Sequence, residues 1–443
     1  MEKIYKQLAL DNGIVGAGGA GFPTHVKLNA TVDYLVVNGA ECEPLMTVDQ
    51  VLMHHFSDHL TATIDALREE LGAKEAIIGI KAKHVEVVDV MKKTSGAYTN
   101  VRVEPLGDFY PAGDEVVLVY ETTGRQIPQG GIPLDCKVVV INIETLYNLW
   151  QASQGSPLVS KWVTVAGHVP NPGTYYVPLG VTIGQMIELA GGASISDYSV
   201  INGGPMMGKL VSSLDEPVTK TTKGLLILPN DNPVIENHHR PLTHIIKQAQ
   251  SICCQCRLCT DLCPRNLLGY GIEPNKTILS AGYSFSVNGG EAGKGALLCS
   301  ECGACDMYAC PMGLSPRRVN QVLKSGLAQQ KIAPPDKGKE VKASEWRPYR
   351  RIPTKRLVAR LGLNRYNSPD IWMDQTIDPE LVTLPLRQHI GAPSVPVVKT
   401  GDSVNRGDLI ADIPEKSLGS KVFASISGTV REVTSDYIRI SKA

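Results

Sequence analysis

The chain has 443 residues, 43% of them hydrophobic and 20% charged, with 44 Lys and Arg against 44 Asp and Glu. At roughly 150 residues per domain this suits about three globular domains, and the composition argues against wholesale disorder. Zero formal charge removes the basic footprint of a nucleic-acid binder, and no apolar run reaches the roughly 18 residues of a membrane span. The start MEKIYKQLALDNGIVG lacks a basic segment leading into an apolar one. The expectation is therefore a soluble cytoplasmic protein whose 11 cysteines are metal ligands or reactive thiols rather than disulfides.

Residues 1–155 alternate short β-rich runs, YLVV (34–37), AIIGI (76–80), VRVEPL (101–106) and KVVVIN (137–142), with helical patterns. The clearest helical pattern runs over 48–71 and is stopped by Gly72. Such alternation predicts a parallel sheet with helices on both faces and a ligand site at the carboxyl ends of its strands. Ahead of the first strand, glycines at 13, 16, 18, 19 and 21 leave backbone N–H groups uncovered. That suits a phosphate or a flat ring system. A mobile linker has the same composition, and the strand that a dinucleotide fingerprint requires is missing. Lys27 offers a point charge for phosphate. Asn38, Glu41 and Glu43 fit a ligand site and equally a helix start, since Glu43, Pro44 and Thr47 suit a first turn.

Residues 162–192 place strand runs around a Pro-Asn-Pro-Gly turn, followed by a short helix opened by Thr182 and closed by glycines. Met206 and Met207 have the usual fate of methionines, core or loop packing, as the alternative to lining a cofactor. His168 reads as a turn residue.

Nine of the 11 cysteines fall between Cys253 and Cys310. The first group is Cys253-x2-Cys256-x2-Cys259-x3-Cys263-Pro264, the bacterial ferredoxin spacing for a [4Fe–4S] cluster, in which the fourth cysteine ligates the other cluster. The second is Cys299-x2-Cys302-x2-Cys305-x4-Cys310-Pro311, one residue longer before its last cysteine. The spacing thus pairs Cys253, Cys256 and Cys259 with Cys310, and Cys299, Cys302 and Cys305 with Cys263. Structural zinc, the alternative, uses paired knuckles well separated in sequence. Cys254 is out of phase and reads as a spare thiol.

Residues 331–366 carry 11 Lys and Arg against 3 Asp and Glu. This basic linker reads as a solvated or domain-bridging segment, or as a docking strip for an acidic partner. The last 65 or so residues alternate short β runs with Gly-Asp turns.

The string GAGGAGFPTHVK (16–27) resembles the glycine-rich loop of the flavin-binding, NADH-oxidising subunit of respiratory complex I, and more closely that of the C subunit of Rnf-type electron-transfer complexes. NGAECEP (38–44), YPAGDE (110–115) and INIETL (141–146) are similar to that family's further segments. The resemblance implies a Rossmann-like FMN/NADH domain in which Gly16, Gly18, Gly19 and Lys27 line the flavin and its phosphate. It also implies that Asn38, Glu41, Glu43, Asp114, Glu115, Asn142 and Thr145 contact FMN or NADH. Ala40 stands where complex I has an aspartate, and Ile141 where the family has the first of two asparagines. Residues 162–192 resemble the soluble-ligand-binding β-grasp (SLBB) domain.

The carboxyl-terminal segment resembles the barrel-sandwich hybrid of biotinyl and lipoyl carriers. The Rnf relatives have that domain first; here it comes last. With that order, the cysteine strings are similar to those of the cobalamin reductase family of propanediol-utilising bacterial microcompartments. The implied architecture is multidomain α/β: FMN/NADH domain 1–155, β-grasp 160–229, ferredoxin-like domain with two [4Fe–4S] clusters 243–330, basic linker 331–375 and barrel-sandwich 376–443. The implied activity is NADH-dependent reduction of cob(III)alamin to cob(II)alamin and toward cob(I)alamin. A corrinoid adenosyltransferase and shell proteins are the implied partners, inside a cytoplasmic microcompartment. The alternatives are a peripheral NADH-oxidising subunit of an Rnf-like complex, or an Fe–S adaptor without flavin activity. No D-x-H-x-x-G motif supplies a cobalt ligand, so corrin is expected to bind transiently or while held by the adenosyltransferase. IPEKSLGSK (413–421) lacks the modifiable-lysine hairpin of lipoyl carriers. Intact mass should therefore equal that of the unmodified polypeptide, and a lipoyl or biotinyl adduct would refute this.

Overall fold

The computed structural model describes residues 3–283, 293–366 and 371–443. Parts of the expected ferredoxin-like segment (284–292) and of the expected linker (367–370) lie outside the described residues.

Helices α1 (Ile4–Asp11) and α2 (Thr24–Lys27) flank the glycine-rich loop and precede β1 (Tyr34–Asn38). Then follow α3 (Val48–His55), α4 (Ser57–Glu70), β2 (Glu75–Lys81), α5 (Val85–Ser95), β3 (Val101–Leu106), β4 (Phe109–Tyr110), α6 (Glu115–Thr123), β5 (Val138–Asn142) and α7 (Ile143–Ser153). The four strands β3-β2-β1-β5 form a parallel sheet in that order. Its strands read as continuous apolar runs because both faces are covered. Leu35, Val37, Val139 and Ile141 face a core shared with α3, α4, α5 and α7. Val36, Val138 and Val140 face α6 and, beyond it, Leu268, Tyr270, Ile272 and Leu298 of the cysteine-bearing segment.

The pattern 48–71 is two helices, not one. Phe56 leaves helical geometry (φ −123°, ψ 22°) between α3 and α4. Its ring packs 5.0 Å from that of Tyr147 and 6.0 Å from that of Trp162. Period alone cannot register such a kink, because α3 and α4 keep one apolar face. Gly72 does end α4, with Ala73 N–H donating to the Arg68 carbonyl at 2.9 Å.

A six-stranded sheet follows, built from β6 (Ser160–Gly167), β7 (Gly173–Pro178), β8 (Tyr198–Asn202), β9 (Lys209–Leu210), β10 (Gly224–Pro229) and the late strand Trp372–Met373. Helix α8 (Ile183–Leu189) is opened by Thr182 and Gln185 in a capping box. Residues 381–442 form two small sheets of four and three strands. Their inner faces merge with those of the β-grasp unit into one core: Val163, Val177 and Ile227 pack with Val382, Leu384, Val430 and Ile440.

The basic stretch 331–366 is bridging rather than solvated. Ile352–Pro353 pairs antiparallel with β4, while Arg347 and Arg351 both reach Glu121 of α6. Arg347 is 4% exposed, so the surplus of positive charge is partly spent on contacts within the chain. No helix among the described residues is long and apolar enough to cross a membrane.

The sheet units are joined by buried charge. Lys161 of β6 lies 2.7 Å from Glu144 of α7, with both side chains essentially inaccessible. Burial pushes the Glu144 carboxyl up and the Lys161 ammonium down, each opposed by the other's charge. Removing one partner strands the other, so Lys161→Met should cost about 3–5 kcal/mol in urea unfolding. Lys161→Met with Glu144→Leu should recover most of that loss. An unchanged midpoint in the single variant would refute this account.

Candidate functional site

Strand β1 has β2 on one side and β5 on the other, so the chain order reverses between β1 and β5. A crevice opens at the carboxyl ends of strands at such a switch point. Asn38 and Asn142 end the two strands in register. Both are tied to backbone: Asn38 Nδ2 donates to the Gly113 carbonyl at 2.9 Å, and Asn142 Oδ1 caps α7 by accepting from Glu144 N–H at 3.0 Å. Asp114 caps α6 in the same way, accepting from the N–H groups of Val116 and Val117. Two helix amino-termini therefore begin at this end of the sheet, an arrangement suited to an anion.

The glycine-rich loop closes over the crevice. Ala17 N–H donates to Thr145 Oγ1 at 3.0 Å, and a side chain on Gly18 would crowd Asn142. At Gly19 an added Cβ would meet nothing within 4 Å. Lys27 Nζ reaches Glu115 Oε1 at 2.8 Å and the Val140 carbonyl at 3.0 Å. Contacts thus link all four sequence segments at the carboxyl end of the sheet. Ala40 and Ile141, the two departures, are buried, and Ile141 belongs to the core on the α3–α7 face.

Several residues here carry no local sequence signal. Lys223, 174 residues from Asp49, places its Nζ 2.6 Å from Asp49 Oδ2 and 3.4 Å from Glu41 Oε1. Asn142 Nδ2 donates to the same Asp49 oxygen at 2.9 Å, while Asp49 Oδ1 is buried without a partner. Burial pushes the Glu41 carboxyl up to about 8, with Lys223 opposing and Asp49 reinforcing the shift. Burial also opposes the Lys223 charge, yet Asp49 and Glu41 hold it above the ordinary lysine value. Glu43 turns the other way: Oε2 accepts from Met206 N–H at 2.9 Å and leaves room only for a glycine at 204. Burial raises Glu43 to about 7. Of the two methionines, Met206 is buried and Met207 exposed.

The cysteines line two cavities. One is walled by Cys253, Cys256, Cys259 and Cys310, with Cys254 beside them. The other is walled by Cys263, Cys299, Cys302 and Cys305, with Arg265, Arg317 and Asn320. Among the described residues no three His, Cys, Asp or Glu side chains converge closely enough to hold a single ion. Four thiols spread around a cavity suit a multi-atom cluster instead. The extra residue before Cys310 is taken up as a π-helical turn, Ala304–Ala309, which lets Cys310 cross to the first triplet.

The second cavity and the crevice share a wall. Arg265, which lines the cavity, pairs with Asp114 at 2.9 Å. The Tyr110 hydroxyl lies 2.6 Å from the Cys302 carbonyl oxygen and 3.2 Å from Glu43 Oε1. Arg317, also in the lining, pairs with Asp306 at 3.1 Å. The first cavity lies nearer the surface, where Cys254 and Cys256 are exposed.

A switch-point crevice beside two cysteine-walled cavities is the arrangement of an electron-transfer protein, and the matching family models name its parts. Residues 10–151 match the Nuo51 FMN-binding domain, 162–210 the SLBB domain, 252–315 a 4Fe-4S dicluster domain and 361–442 the RnfC barrel sandwich hybrid domain. Cobalamin reductase PduS of Salmonella typhimurium strain LT2 is 41% identical over 429 residues, covering 97% of this chain and 94% of the relative. The chain belongs to the cobalamin reductase PduS family. The C subunit of the Na(+)-translocating ferredoxin:NAD(+) oxidoreductase complex of Acetobacterium woodii is 34% identical over 268 residues, 59% of this chain and 58% of its own length. The fold is also similar to that of a chain of the NAD+-reducing [NiFe]-hydrogenase in the H2-reduced state, with a TM-score of 0.50 and 20% identity, covering 75% of this chain and 63% of that one.

The raised Glu41 has a consequence for stability. Folded Glu41 keeps its proton to about pH 8, whereas an unfolded glutamate releases it near about 4.3. Folding therefore takes up a proton between these values, and stability falls as pH rises through the window. Glu41→Gln should flatten the decline in thermal midpoint between about pH 5 and about pH 8. An unchanged slope would remove Glu41 as its source.

Proposed function

We propose that the chain is an NADH-dependent flavin/iron–sulfur oxidoreductase that reduces cob(III)alamin to cob(II)alamin and toward cob(I)alamin for coenzyme B12 recycling. The observation carrying this reading is the shared wall between the crevice and the second cysteine cavity. When bound, FMN accepts hydride from NADH and releases electrons singly, and each iron–sulfur cluster carries one electron at a time. In this reading Gly16, Gly18 and Gly19 leave backbone amides open to the flavin phosphate and Lys27 adds a cation. Asn38, Glu41, Glu43, Asp114, Glu115, Asn142 and Thr145 orient FMN and nicotinamide. Tyr110 and Arg265 close the wall and exclude water between the two sites.

Cys263, Cys299, Cys302 and Cys305 would hold the inner [4Fe–4S] cluster, and Cys253, Cys256, Cys259 and Cys310 the outer one. The acceptor is inferred from the names of the PduS relatives. We further infer residence in a propanediol-utilisation microcompartment, with a corrinoid adenosyltransferase that takes up reduced corrin and shell proteins as partners. The partial match to the Acetobacterium woodii complex supports a second reading, NADH oxidation on behalf of a membrane complex. Co-purification with integral membrane proteins would favour it.

Anaerobic stopped-flow with NADH and hydroxocobalamin tests the proposal. Flavin absorbance should bleach first, and the cob(II)alamin spectrum should then grow in. Bleaching without cob(II)alamin would sink the corrin assignment and leave the electron-converter assignment standing.

A further inference from the structure

The glycine-rich loop is gripped at both ends by parts of the chain far from it in sequence. At its start stands Lys220, from the β-grasp loop 219–223, which is 1% exposed. Its Nζ lies 2.8 Å from the Gly13 carbonyl, 3.1 Å from Ser420 Oγ and 2.5 Å from the Lys421 carbonyl. Ser420 Oγ donates to the same Gly13 carbonyl at 2.9 Å. Gly13 has φ +63°, and any side chain there would strike the Lys421 carbonyl.

The far end is held by the same two units. Ile390 N–H donates to the Gly21 carbonyl at 3.2 Å. Gly21, with φ +72°, has Thr221 Cγ2, His389 Cα and the Gln388 carbonyl within 3.1 Å of where a Cβ would stand. Lys220 N–H donates to Gln388 Oε1 at 3.0 Å and so links the two grips. Between them Gly18 lies against Asn142 at the end of β5.

Lys220 has three neutral acceptors for its three N–H bonds and no carboxylate. Burial alone pushes its ammonium down to about 7. An uncompensated buried cation is a poor source of stability, because desolvation opposes its charge and no carboxylate answers it. What methionine cannot supply is a donor that fixes the Gly13 carbonyl, and through it the direction in which the loop leaves α1.

We propose that Lys220 is a positioning residue for the flavin site: with Ser420 it uses the β-grasp and barrel-sandwich units to hold the glycine-rich loop in the shape that receives the FMN phosphate. This rests on the reading that the loop lines FMN. The test is titration of full-length, FMN-stripped protein with FMN, followed by loss of flavin fluorescence. Wild type and Lys416→Ala, an exposed residue of the same carboxyl-terminal unit, should bind alike. Lys220→Met should bind about tenfold more weakly and Ser420→Ala about threefold more weakly, the scale of one hydrogen bond each. Iron content and the FMN-free thermal midpoint should match wild type, and amide exchange should accelerate at residues 14–22 alone. FMN affinity and loop exchange unchanged in Lys220→Met would overturn the proposal. If that variant fails to fold, unchanged affinity in Ser420→Ala overturns it. Absence of FMN binding by wild type would instead overturn the flavin reading, and loop exchange would then decide the clamp.

Discussion

The Tyr110 hydroxyl, 2.6 Å from the Cys302 carbonyl oxygen, marks the contact on which the rest of the molecule depends. It brings the buried cysteine cavity against the carboxyl ends of the parallel strands, where Glu43 and Asp114 stand. Arg265 serves the same junction from the other side: its guanidinium is part of the cavity lining and is paired with Asp114. The second face of the sheet would otherwise be only half covered by α6; Leu268, Tyr270, Ile272 and Leu298 complete it. The cysteine-bearing segment is thus a structural layer of the flavin-type domain as well as its neighbour. In the proposed reaction this fixes the order of the cofactors, with the inner cavity beside the crevice and the outer one toward solvent.

Buried charge, together with the packing of Trp162 against Phe56 and Tyr147, sets how the β-grasp unit meets that domain. Lys161, Lys220 and Lys223 each project from it into the amino-terminal domain or its loop, and each is buried or nearly so. Lys161 and Lys223 find carboxylates, while Lys220 finds only carbonyl and hydroxyl oxygens. Buried ion pairs contribute little net stability because desolvation offsets attraction, but an unmatched charge is expensive. A domain slipped out of place would strand these charges, so they penalise wrong packing more than they reward right packing.

Local elements were legible where one physical rule governs them. The four β-rich runs appear as β1, β2, β3 and β5 to within a residue at their ends. An apolar run between turn signals has little else to become when both faces are covered. The 48–71 pattern misleads because a kink at Phe56 preserves the helical stripe while an aromatic cluster from α7 and β6 captures the ring. For the basic stretch the sequence leaves solvated and bridging readings open: its charge count is visible, but the acidic residue that Arg347 and Arg351 share, Glu121, lies more than 200 positions away. Lys223 belongs to the crevice with no motif around it, since nothing in Thr-Lys-Thr-Thr-Lys-Gly announces a partner 174 residues distant.

By itself the sequence determined the chemistry on offer. Thiol spacing, glycine density and strand period are short-range properties, set by bond geometry and by which atoms a residue lacks. Only the tertiary structure decided how those parts meet. It brought Cys310 to the first thiol triplet through a π-helical turn, set Asn38 beside Asn142, and closed the glycine-rich loop with side chains from two other units. These are long-range contacts whose free energy comes from burying charge and apolar surface together, a quantity that no local window of the chain contains.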